Sequence, residues 1–132
     1  QMALYAGGDY SMVSTDPNMF YLYAASMPGK PVDEVEKALY DEIDRFKKEP
    51  VSEKELAKAK NQIEASFILG QDSNFNRAML LGQYETVASW KLLDKYLDGI
   101  RNVKGEDIMR VAREYFTEDN RTVGVLVPQK PE

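Results

Sequence analysis

The chain has 132 residues, with 17 basic against 22 acidic side chains, a net charge of −5, and neither cysteine nor histidine. That length suits one compact domain, and the acidic balance, with no basic run beyond Lys47-Lys48, argues against a nucleic-acid footprint. Without Cys or His the chain loses disulfides, zinc ligation by its own residues, and the Ser-His, Cys-His and His-metal arrangements, while carboxylate sites for Ca²⁺ or Mg²⁺ stay open.

No apolar run approaches the roughly 18 to 20 residues of a membrane span, and no signal peptide opens the sequence. The start, QMALYAGGDYS, is strand-like and reads as cut from something longer. From Ala3 to Thr15 the pattern stays irregular, with Gly7-Gly8 interrupting it. Asp16-Pro17-Asn18 signals a turn, and the aromatic-rich run Met19 to Met27 predicts a second, mostly buried strand, so the opening reads as a hairpin. Pro28-Gly29-Lys30-Pro31 breaks that run.

Val32 to Lys48 places Val35, Leu39, Ile43 and Phe46 on one stripe, with acids in the first turn and lysines in the last, which predicts a helix laid over the sheet. Pro50 stops it, and Ser52-Glu53-Lys54-Glu55 is a capping box for a helix running to about Gly70. That helix is expected to bury Leu56, Ala59, Ile63, Phe67 and Leu69 or close neighbours. Asp72-Ser73 caps a central helix over SNFNRAMLLGQYETVASW. Lys91 to Arg101 and Lys104 to Phe116 predict two more helices, the last with Ile108, Val111, Ala112 and Tyr115 inward. The β-branched run Thr122 to Val127, ended by Pro128, predicts a closing strand. The expected architecture is one α+β domain, a small antiparallel sheet backed by helices: strands at about 3–27, helices at about 32–116 and a last strand at about 122–127.

The central helix carries Arg77 and Tyr84 seven residues apart. At 3.6 residues per turn they return to within about 20° of one face, roughly 10 Å apart along the axis. A guanidinium and a phenol so placed are hydrogen-bond donors able to grip two carbonyls of an extended peptide. The blander alternative is a surface ion pair and a half-buried helix tyrosine. Gly82, between them, costs about 1 kcal/mol relative to alanine and marks a bend, close packing, or simple tolerance. The carboxylates Glu53, Glu55, Asp41 and Glu42 read as solvated faces rather than an acid/base pair, and Phe20, Tyr21 and Tyr23 as core rather than a stacking platform.

The ordered set VSEKELAKAKNQIEASFILGQDSNFNRAMLLGQYE, YLDGIRNV, EDIMRVAREYF and TVGVLVP resembles the C-terminal region of a domain of the pitrilysin/insulinase family of zinc metallopeptidases, most firmly from Val51 to Pro128. The resemblance implies paired homologous domains around a chamber, one bearing an inverted zinc motif, the other lacking it and supplying an Arg and a Tyr spaced as Arg77 and Tyr84 are. It implies that these two hold peptide substrate and steady the oxyanion beside zinc bound by the partner domain or subunit, and that this chain is not active alone. An exported bacterial location follows from family habit, with a cytoplasmic one left open. The alternative from another class is a catalytically inert assembly scaffold of the same fold. A sheet edge left unpaired would invite a homodimer.

Overall fold

The computed structural model describes residues 2–127. Two strands, β1 (Ala3–Asp9) and β2 (Tyr21–Ser26), are followed by five helices: α1 (Val32–Lys48), α2 (Glu53–Gly70), α3 (Asn74–Val87), α4 (Leu93–Asn102) and α5 (Gly105–Tyr115). A 3₁₀ turn, Trp90–Leu92, joins α3 to α4. This is the expected α+β arrangement, a two-stranded antiparallel sheet with helices behind it.

The hairpin owes its geometry to its glycines. Gly7 pairs with Tyr23 and Gly8 with Leu22 across the strands. A Cβ on Gly7 would stand 2.6 Å from the Tyr23 hydroxyl, and one on Gly8 would stand 3.2 Å from both Leu22 and Phe20, so the aromatic rings lie over bare backbone. Register slips by one residue at Leu4, between the Ala3–Ser26 and Tyr5–Ala25 pairs, as in a β-bulge. β1 is shorter than the sequence suggested, ending at Asp9, and a loop of residues 10–20 returns the chain. At the exit from β2, Lys30 N–H donates to Met27 C=O at 2.9 Å and Gly29 has φ of 79°. Pro28 then Gly29 at the centre is the type II turn, whose second central residue requires positive φ.

α1 lies against β2 and against α5. Val35 and Ala112 face inward there, 6% and 1% exposed, and burying a valine side chain contributes roughly 1.5–3 kcal/mol. Arg113 Nε donates to the Lys47 carbonyl at 2.6 Å, satisfying an orphan acceptor at the end of α1. Gly105, buried at the start of α5, sits where a Cβ would stand 3.0 Å from Pro50 Cβ and 3.2 Å from Val51 O. That close approach locks α5 onto the α1–α2 link. Phe116 meets Phe20 edge-on at 5.1 Å, and Phe20 stacks on Tyr10 at 6.2 Å, so the end of α5 also reaches the hairpin loop.

The starts of α2 and α5 follow their capping chemistry. The Ser52 and Glu55 box is complete, Glu55 N–H donating to Ser52 Oγ and Ser52 N–H to Glu55 Oε2. Lys104 has no side chain fit to cap, and Asp107 substitutes by accepting from Lys104 N–H at 2.9 Å.

Four expectations need correction. The run at β2 is not mostly buried: Phe20, Tyr21 and Tyr23, expected in the core, are exposed, since no second layer covers that part of the hairpin among the described residues. Residues 122–127 lie in no strand: the run is extended in character but finds no partner edge, and Leu126 is 92% exposed. Pro128, expected to end it, lies outside the described residues. Among the described residues α2 buries only Leu56; Ile63 and Leu69 are exposed and Phe67 is half-buried, the helix being only lightly packed, chiefly against α4. On α5, Val111 and Tyr115 are exposed as well. The total accessible surface is 10715 Å², against about 7,000 Å² for a compact monomer of this mass. Apolar stripes written in the sequence therefore stand uncovered.

Candidate functional site

The site centres on α3. Ser73 caps it, accepting from Asn76 N–H at 3.3 Å, and Arg77 N–H makes the first intrahelical bond to Ser73 C=O at 3.0 Å. The helix then runs unbroken through Gly82 to Val87, and Ala88 N–H closes on Tyr84 C=O at 2.9 Å. Arg77 and Tyr84 are thus two turns apart on one regular helix, within about 20° of each other around its axis. Nothing lies within 4 Å of a Cβ built on Gly82, so neither a break nor close packing accounts for it.

The two side chains stand in unlike surroundings. Arg77 is exposed and, among the described residues, forms no ion pair, so the bland reading of a surface pair does not describe it. Among the described residues, none accepts a hydrogen bond from its five donors. Tyr84 is half-buried. Burial, with the neighbouring Tyr96 phenol adding to it, raises the Tyr84 hydroxyl above its ordinary value of 10.0. At neutral pH Tyr84 is therefore a proton-bearing donor. Tyr96 stacks at 4.7 Å on Phe67, which ties the α4 side of this cluster to α2. Lys60 Nζ reinforces that tie by donating to Arg101 C=O at 2.8 Å, as does the ion pair of Arg101 with Glu64.

The far side of α3 is apolar and open, with Phe75 72% and Met79 48% exposed. Beside the Arg77–Tyr84 edge, Leu81, Gly82, Glu85 and Trp90 line a shallow hollow of about 440 Å³. Glu85 Oε2 there accepts from Trp90 N–H at 3.0 Å. The supporting roles of Tyr96, Phe67 and Glu85 were not evident in the sequence. A carboxylate five residues before a backbone N–H has no recognisable spacing once the helix has ended.

Among the described residues, no group of three His, Cys, Asp or Glu could hold a metal ion. The donor set present does not fit zinc. What remains is a pair of hydrogen-bond donors presented on a rigid helix.

Residues 3–63 match the family model described as the Peptidase M16 inactive domain. The zinc protease PqqE of Helicobacter pylori is 27% identical over 119 residues, which is 90% of this chain and 27% of that protein. An uncharacterised zinc protease of Rickettsia felis is 26% identical over 114 residues, 86% of this chain and 27% of the relative. The chain thus spans about a quarter of the length of these curated relatives. Among solved structures, one described as the inactive peptidase domain of a zinc protease from Bordetella parapertussis shares the fold with a TM-score of 0.83 at 24% identity, over 98% of this chain and 70% of that one. A protease from Helicobacter pylori gives 0.79 at 24% identity, over 90% of this chain and 28% of the other. The helical order, the hairpin and the sequence likeness agree: the chain has the fold of the inactive M16 peptidase domain and is similar in sequence to zinc proteases of that type.

Proposed function

We propose that this chain is the substrate-positioning part of a zinc metalloendopeptidase, working beside a homologous domain or subunit that carries the zinc. The observation that carries this reading is the Arg77–Tyr84 edge of α3: an unpaired guanidinium and a phenol kept protonated, two turns apart on a helix with no buried residue. Arg77 grips a backbone carbonyl of an extended peptide. Tyr84 donates to the oxygen on which negative charge develops during hydrolysis, and preorganised donors aimed at such an atom are worth about 2.7–4 kcal/mol. Metal and attacking water belong to the partner, so the chain is inert by itself.

The test is peptide hydrolysis by the full-length protein assembled with its zinc-bearing partner, comparing wild type with Arg77→Ala and Tyr84→Phe. A fall of about 10² or more in kcat/KM with zinc content unchanged is expected. Turnover equal to wild type in both variants would remove the reading.

One observation favours a second reading, that of an inert assembly scaffold. The exposed surface exceeds that of a compact monomer by an amount comparable to large obligate interfaces. Among the described residues the outer edges of β1 and β2 are unpaired, and neither strand carries Lys, Arg or Pro to block pairing. A homodimer through those edges is part of this reading. Light scattering that finds a monomer at high concentration would count against it.

A further inference from the structure

α3 meets the rest of the described chain chiefly through the 3₁₀ turn Trp90–Leu92 that follows it. None of its residues is buried. α3 is therefore aimed from two places, its short link to α2 at residues 71–73 and this joint, and the joint is where it meets the chain that follows. Beside the turn's own backbone bonds, Leu92 N–H to Ser89 C=O and Leu93 N–H to Trp90 C=O, three hydrogen bonds define the joint. Ala88 N–H ends the helix on Tyr84 C=O, Ser89 Oγ accepts from Lys91 N–H at 3.4 Å, and Glu85 Oε2 accepts from Trp90 N–H at 3.0 Å. The first lies within the helix and the second within the turn. Only the third crosses from a side chain of α3 to the backbone of the turn.

The backbone at Ala88 is irregular, with φ −153° and ψ −78°, so helical hydrogen bonding does not continue through the joint. Trp90 N–H is an orphan donor at the start of a helical turn, and a carboxylate accepting it makes a charge-assisted bond of the stronger kind. Glu85 adjoins Tyr84 in sequence, while Tyr96, near enough to raise the Tyr84 phenol, follows the same turn on α4. A rotation at Trp90 would shift Tyr84 relative to α4 and move Arg77 further still, since Arg77 lies about 10 Å beyond along the axis.

Resting on the substrate-positioning reading above, we propose that Glu85 is a positioning residue for the Arg77–Tyr84 edge, its carboxylate clamping Trp90 N–H and fixing the direction of α3. Glu85 touches no substrate. Its effect passes through the pose of the helix, and misplacing reacting groups by about 1 Å can cost as much as 10²-fold in rate.

The experiment compares Glu85→Ala, Glu85→Asp, Glu85→Gln and Tyr84→Phe in the full-length protein assembled with its zinc-bearing partner. It reads kcat and KM for peptide hydrolysis together with hydrogen exchange of the Trp90 amide. Glu85→Ala removes the acceptor, and Glu85→Asp, one methylene shorter, fails to reach it. In both, the Trp90 amide should exchange faster and kcat should fall about 10-fold with KM changed less. Glu85→Gln keeps an oxygen acceptor and should retain both amide protection and most of the turnover. The proposal is overturned if Glu85→Ala frees the amide with turnover unchanged while Tyr84→Phe lowers it. It is equally overturned if the amide is as protected in Glu85→Ala as in wild type, or if Glu85→Gln loses turnover with its amide still protected. Wild-type turnover in Tyr84→Phe overturns the reading beneath it instead.

Discussion

α5 and α3 are helices of similar length with opposite relations to their surroundings. α5 is held by a buried alanine, a glycine that meets another backbone, an arginine on a helix-end carbonyl and a phenylalanine against the hairpin. α3 buries no residue and is tied down mainly at its C-terminal joint. The contrast separates two jobs within one chain. One helix spends its side chains on the fold, and the other presents them outward. A helix of the second kind is where a binding edge is to be sought, since a side chain committed to packing is not free to meet a ligand.

Core truncation gives the widest test of this contrast. Leu56, 7% exposed on α2, should cost at least about 2 kcal/mol when replaced by alanine, read from the urea midpoint. Phe75 on α3 is larger, yet at 72% exposure Phe75→Ala should change stability by no more than about 0.5 kcal/mol. A comparable loss at both positions in the full-length protein would mean that another part of it covers the outer face of α3.

Two glycines sharpen the comparison by sign. Gly105→Ala forces a Cβ against Pro50 and Val51, and overpacking of this kind costs typically 1–3 kcal/mol. Gly82→Ala meets nothing and should stabilise α3 by up to about 1 kcal/mol. Differential scanning calorimetry should move Tm down for the first and up for the second. Equal signs would erase the distinction between the two helices.

The smallest effect concerns the tie between α2 and α4. Its hydrogen bond with Arg101 holds the Glu64 carboxyl below its ordinary value of 4.5. A depressed folded value means that the pair's contribution is fully present above about the ordinary value and is lost as pH falls through the folded one. An acid titration of stability should be shallower in Glu64→Gln than in wild type below that point. The pair is exposed to solvent, so the difference should also shrink in high salt.

Helix limits were legible because punctuation is local. Pro50, the Ser52–Glu55 box and Ser73 each act within four residues, and the structure starts its helices where they stand. The hairpin was legible from its turn signals and aromatic runs. Burial was not, because periodicity says which residues share a face and not whether anything covers that face. Ile63, Leu69, Val111 and Tyr115 share apolar faces as expected yet remain exposed. Strand pairing failed likewise at residues 122–127: a β-branched run declares itself, but among the described residues no strand pairs with it. Of the site, the placement of Arg77 and Tyr84 on one helix face followed from sequence spacing alone. The support from Tyr96 depends on how α3 and α4 are joined, and the clamp from Glu85 on an irregular backbone at Ala88, neither of which leaves a sequence pattern.

The bond from Arg113 to the Lys47 carbonyl joins points 66 residues apart. With α1 against α5, it pins together the two ends of an excursion comprising α2, α3 and α4. Once such a loop is closed, its closure entropy grows only with the logarithm of its length, about 0.6 kcal/mol per doubling. Insertions within that excursion, at the Gln71–Asp72 turn for instance, are therefore thermodynamically cheap, and variation in length there can re-aim a presenting helix while α1, α5 and the hairpin stay as they are.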